Sequence, residues 1–88
     1  MASYSVEFKR SALKELAALP SKKDRQRLVA RIRSLADDPR PPGSEKLTDQ
    51  ERYRLRQGRY RILYEIDGGR CVVIVVKIAD RKDVYRRK

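Results

Sequence analysis

The chain has 88 residues, with 23 Lys and Arg against 12 Asp and Glu, and a formal net charge of +11. That length suits one domain with a single core, and so large a cationic excess points to a polyanionic partner, nucleic acid first, ahead of a surface charged merely for solubility. The absence of His, the single Cys and the lack of any apolar run of bilayer-spanning length exclude a Ser-His-Asp or Cys-His centre, a His-based metal site, an internal disulfide and a membrane-spanning helix.

The first residues carry no apolar signal core, so a single domain over residues 1–88, cytoplasmic and away from membranes, is expected. Tyr4, Val6 and Phe8 alternate with Ser5, Glu7 and Lys9, the pattern of a short half-buried strand. From about Lys9 the period changes. Leu13, Leu16 and Ala17 recur at helical spacing up to Leu19-Pro20, which predicts a helix of two to three turns. Ser21 can cap a second helix starting near Lys22, and Asp24 suits the positive end of its dipole. That helix carries Leu28, Ile32 and Leu35 on one face and stops at Asp37-Asp38-Pro39.

Pro39, Pro41, Pro42 and Gly43 make a loop that continues neither helix nor ladder. Lys46-Leu47 leads towards the next run. Tyr53 to Tyr64 reads Tyr-Arg-Leu-Arg-Gln-Gly-Arg-Tyr-Arg-Ile-Leu-Tyr, alternating apolar and cationic residues with a break at Gln57-Gly58. Alternation puts successive side chains on opposite faces of a strand. If a two- or four-residue loop joins the halves, Arg54, Arg56 and Arg61 share one face, and Tyr53, Leu55, Tyr60, Ile62 and Tyr64 the other. A three-residue loop would scramble them. Asp67-Gly68-Gly69 signals a second hairpin turn, and Cys71 to Ile78 is almost continuously apolar, as a covered central strand would be, with Lys77 its only charge. Cys71 reads as a small buried hydrophobe of that run.

These elements make an α+β domain of two layers. The N-terminal strand joins the edge of a three-stranded antiparallel meander to complete a four-stranded sheet, and the antiparallel helical hairpin covers one face. The other face stays partly open under Arg54, Arg56 and Arg61.

The remaining chemistry is limited. Acidic residues are scattered, which gives two-metal phosphodiester cleavage no ligand cluster, and Gly68-Gly69 lacks the lysine of a phosphate loop. No metal or cofactor is implied. Guanidinium groups bind phosphate bidentately and tyrosine rings stack on unpaired bases, so Arg with Tyr suits single-stranded nucleic acid. From spacing alone the arginines read equally as a solvated strand face, and the tyrosines of the apolar parity read first as core.

The Tyr53-to-Ile66 string, the Val-rich strand after it and the terminal Arg81-Lys82-Asp83-Val84-Tyr85 together resemble the RelE branch of the RelE/ParE toxin superfamily. The Phe8-to-Lys14 phrase and Lys46-Leu47 extend the likeness over essentially the whole chain. The resemblance implies a toxin of a type II toxin–antitoxin system: a metal-independent endoribonuclease (mRNA interferase) that cuts mRNA in the ribosomal A site and is held inactive by a cognate antitoxin. Its implied partners are that antitoxin, in a hetero-oligomer, and the 70S ribosome with its mRNA and rRNA. Carried over by position, Arg54 and Arg56 bind RNA, while Arg61, Arg81 and Tyr85 are catalytic. The chain departs from the pattern at Asp80, where many relatives carry His, and at Thr48, where some carry a basic residue. Two other readings share the fold: a ParE-like toxin that poisons DNA gyrase without nuclease activity, and a catalytically inactive RNA-binding domain.

Overall fold

The computed structural model describes residues 3–47 and 52–80. In chain order the elements are β1 (Ser5–Phe8), α1 (Arg10–Ala17), α2 (Lys22–Ser34), β2 (Glu45–Lys46), β3 (Arg52–Gln57), β4 (Tyr60–Asp67) and β5 (Val72–Asp80). The strands form one sheet in the order β1-β5-β4-β3-β2, with β1 parallel to β5 and every other pair antiparallel. The architecture is therefore the expected α+β one, with β1 at an edge. One strand was not foreseen. Two-residue β2 extends the sheet to five strands through Glu45↔Arg54 and Lys46↔Tyr53.

Local chemistry sets the helix boundaries. The Ser21 hydroxyl accepts from the Asp24 backbone N–H at 3.1 Å, satisfying one of the amides that the first turn of α2 leaves without a helical partner. Leu28 and Ile32 fall on the buried face of α2, and Leu35, at its C-cap, is buried in line with them. Helix α1 differs from expectation. Ala12 is its buried residue, Leu16 is half-buried, and Leu13 stays 49% exposed. A helix of eight residues presents little more than two turns, so a small rotation about its axis decides which of Ala12 and Leu13 meets the sheet.

The core lies between the helices and one sheet face. Ala12, Leu28, Ile32 and Leu35 pack with Leu55, Tyr60, Ile62, Tyr64, Val73, Val75 and Ile78. Each large apolar side chain removed from water there contributes roughly 1.5–3 kcal/mol. The Val-rich strand reaches this face at Val73, Val75 and Ile78 because Val76 is an extra residue: Leu63 pairs with Lys77 but Tyr64 pairs with Val75. A bulge of this kind shifts the parity of a strand by one. Glu15 of α1 covers the end of β5, its carboxylate accepting the Ile78 N–H at 2.8 Å and pairing with Lys77 at 2.9 Å.

Cys71 corrects the sequence reading. It is the last residue of the turn, half-buried rather than core, and it takes a left-handed φ of 56°. The turn forms where Asp67-Gly68-Gly69 announces it, since Asp67 pairs with Val72 and its side chain accepts the Arg70 N–H at 3.1 Å. The left-handed position falls on the cysteine instead of on either glycine.

Candidate nucleic-acid interface

The register of β3 on β4 fixes the cationic face. Leu55 opposes Ile62 and Tyr53 opposes Tyr64, while Arg56 opposes Arg61 and Arg54 opposes Leu63. Gln57 pairs with Tyr60, so the loop is the two residues Gly58 and Arg59. Gly58 supplies the positive φ, 60°, that such tight hairpins need. With a two-residue loop the parity survives the turn. Arg54, Arg56 and Arg61 thus share the sheet face away from the helices.

The three arginines occupy different surroundings. Arg56 is exposed, Arg54 is half-buried, and Arg61 keeps only 8% of its surface. Arg61 lies on the central strand, with Arg56 of β3 and Ala79 of β5 as its register partners, so it is more buried than the solvated-face reading allows. Directly opposed like charges repel across a strand pair, and Arg56 and Arg61 stand in that relation. Arg52, further along the same row, is paired with Glu65 at 3.0 Å. Arg54 is held by Glu45. The Glu45 carboxyl lies below the usual carboxylate range, first through its hydrogen bond and charge contact with Arg54, then through the fields of Arg56 and Arg61. One carboxylate therefore senses all three guanidiniums. Nothing in local periodicity announces Glu45. Its place depends on the pairing of a two-residue strand.

The hairpin tyrosines Tyr53, Tyr60 and Tyr64 are structural. Tyr64 is fully buried and donates to the Pro39 carbonyl at 2.7 Å. Tyr53 stacks on it with ring centroids 5.7 Å apart and accepts from Arg40 Nε at 3.1 Å. Tyr60 donates to Asp24 at 3.1 Å. Burial, the larger cause in both, raises the pKa of Tyr60 and Tyr64 above the ordinary phenol value.

Strand β5 ends at Asp80, which pairs with Tyr60 in the ladder and with Arg59 by a 2.8 Å ion pair. The last register pairs set Ala79 beside Arg61, so the strand terminates at the Arg56/Arg61 end of the cationic face. Arg81 and Tyr85 follow in sequence and, with Thr48, lie outside the described residues. A second surface is a groove between the helices lined by residues that include Leu13, Leu16, Val29, Lys22, Arg25 and Arg33. Among the described residues no three His, Cys, Asp or Glu side chains gather as a metal site would require, and no helix is long and apolar enough to cross a membrane.

Comparison with known proteins agrees with this geometry. Residues 6–85 match the family model described as the ParE toxin of type II toxin–antitoxin system, parDE. Toxin RelG of Mycobacterium tuberculosis is 28% identical over 85 residues, covering 96% of this chain and 98% of that protein. A chain of the M. tuberculosis toxin–antitoxin complex RelBE2 superposes with a TM-score of 0.81 at 26% identity, covering 92% of this chain and 94% of its own. The isolated Escherichia coli RelE toxin gives 0.78 at 26% identity over 94% and 92%. The archaeal RelE–RelB complex of Pyrococcus horikoshii gives 0.76 at 26% identity over 90% and 96%.

Proposed function

This chain belongs to the ParE toxin family of type II toxin–antitoxin systems, with relatives on the RelE branch, and on that premise we propose that it is a ribosome-dependent endoribonuclease cutting mRNA in the ribosomal A site. The observation that carries this reading is the cationic face of the β3–β4 hairpin, with Arg56 directly across from Arg61 and Arg54 beside them. An anion seated there relieves the repulsion of the opposed pair, and a phosphodiester offers paired oxygens to guanidinium groups.

In the proposed reaction the ribose 2′-hydroxyl gives its proton to a base and attacks the adjacent phosphorus. The bond to the 5′-oxygen breaks and that oxygen takes up a proton. The products are a 2′,3′-cyclic phosphate and a 5′-hydroxyl. Arg54 and Arg56 hold and orient the phosphate, and Arg61 stabilises the charge that builds on the phosphorane oxygens. Arg81 adds to that stabilisation and assists the leaving oxygen. Tyr85 is proposed as the base, a role that the guanidinium groups of such a site would support by favouring phenolate over phenol. These residues supply the chemistry without a metal. With no His in the chain the site is a weak catalyst alone, and the ribosome contributes by fixing the mRNA in an attacking geometry.

The same reading gives the protein a cognate antitoxin, as in the solved complexes of its neighbours, and a place in the cytoplasm where ribosomes are. An antitoxin acidic in part suits a toxin of charge +11, either along the helices or over the hairpin. The test is to compare the wild type with Arg61→Ala and Tyr85→Phe on translating ribosomes and to map mRNA 5′ ends. Cutting by the wild type that both variants lose is the expected result; equal cutting by all three overturns the site assignment. One observation favours a second reading, gyrase poisoning, because the matching family model is the ParE one. Gyrase-linked DNA breaks without mRNA cutting would identify it.

A further inference from the structure

Glu45 is the unexpected member of the cationic face. Its strand is two residues long and is held by Glu45↔Arg54, Lys46↔Tyr53 and the 2.8 Å bond from the Leu47 N–H to the Arg52 carbonyl. The turn before it, closed by the Ser44 N–H on the Pro41 carbonyl at 3.0 Å with Gly43 left-handed, delivers the carboxylate to Arg54. The pair is accessible, with side-chain exposures of 33% for Arg54 and 62% for Glu45. Carboxylate and phosphate are alternative acceptors for the same guanidinium fork. Both cannot hold Arg54 in the same way at once.

Resting on the reading of this face as an RNA phosphate site, we infer that Glu45 is a built-in competitor: it occupies Arg54 in the free protein and is displaced when an RNA phosphate engages the arginine row. The pair keeps the face from binding every passing polyanion. Exposed ion pairs open readily, so an RNA held in place by a larger assembly displaces the carboxylate, whereas a loose strand meets a net cost. Glu45 is a specificity-determining residue in this account, acting through Arg54 and not on the reacting atoms.

The test is binding of a non-cleavable 2′-O-methyl single-stranded oligonucleotide to the full chain, followed by fluorescence anisotropy across a salt series. Glu45→Gln keeps the side-chain shape and removes the charge. It is expected to bind about 3- to 10-fold more tightly across the salt series. Glu7→Gln, an exposed change on β1 that alters net charge equally, is expected to change affinity less than about twofold. In an Arg54→Gln background the gain from Glu45→Gln is expected to vanish. A Glu45→Gln gain below twofold, a gain matched by Glu7→Gln, or a gain that persists without Arg54 overturns the inference. Wild-type binding that Arg56→Gln weakens about tenfold would in those cases leave the RNA reading standing. No binding by any variant overturns both.

Discussion

The β3–β4 hairpin has two faces that the same alternation builds and that serve opposite ends. Towards the helices, Leu55, Ile62 and Tyr64 are buried and hold the domain together. Away from them, Arg54, Arg56 and Arg61 gather positive charge onto one surface, where Glu45 pairs with Arg54. Period-two patterning lets a small sheet separate the two demands residue by residue. The buried positions and the proposed binding positions alternate in sequence, and Arg61, with 8% of its surface exposed, belongs in part to both.

The contrast can be broken by substitution, and the largest effect belongs to the buried face. Ile62→Ala should cost about 2–5 kcal/mol in urea unfolding, since Ile62 is fully buried at the centre of the core. Any loss of RNA affinity at temperatures where it stays folded would show that the faces are coupled. Next comes alkaline pH. Tyr60 and Tyr64 have phenol pKa values raised above those of the unfolded chain, chiefly by burial. Their contribution to stability is complete below about pH 10 and declines as pH rises through the folded values. Unfolding midpoints measured across that range should fall, and Tyr64→Phe should fall less steeply. At neutral pH Tyr64→Phe should cost about 1 kcal/mol, because it strips the Pro39 carbonyl of its phenol donor.

Smaller effects sharpen the comparison. Cys71→Gly relieves the left-handed backbone but loosens the unfolded chain, for a net gain under about 1 kcal/mol in the same unfolding assay. Arg56→Gln should change stability by no more than about 0.5 kcal/mol, while oligonucleotide affinity falls about tenfold. A large stability loss there would mean that Arg56 belongs to the scaffold.

Much of this was legible before the structure. Alternation from Tyr53 to Ile66 gave the faces because a two-residue loop preserves parity, and Ser21 announced its helix because capping is local. Other features depend on distant pairing. β2 is too short to leave a period, so neither the fifth strand nor the Glu45 contact could be read. Arg61 looks like Arg56 in sequence, and only its place on the central strand buries it. Leu13 shares helical spacing with Leu16 and Ala17, but Ala12 also stands at helical spacing from Leu16 and is the residue that is buried. Cys71 reads as core because the apolar run beside it has no visible end, although the turn claims its backbone first. For the site, spacing offers no role for Arg81 and Tyr85, whose proposed roles rest on the resemblance and which lie outside the described residues.

The measurement that bears most directly on the central claim uses one mRNA in two states, free and engaged by translating ribosomes, incubated with the purified protein and mapped at its 5′ ends. The expected result is cutting in the A-site codon of the engaged message and negligible cutting of the free one. Equal cutting in both states, or none in either, would contradict it.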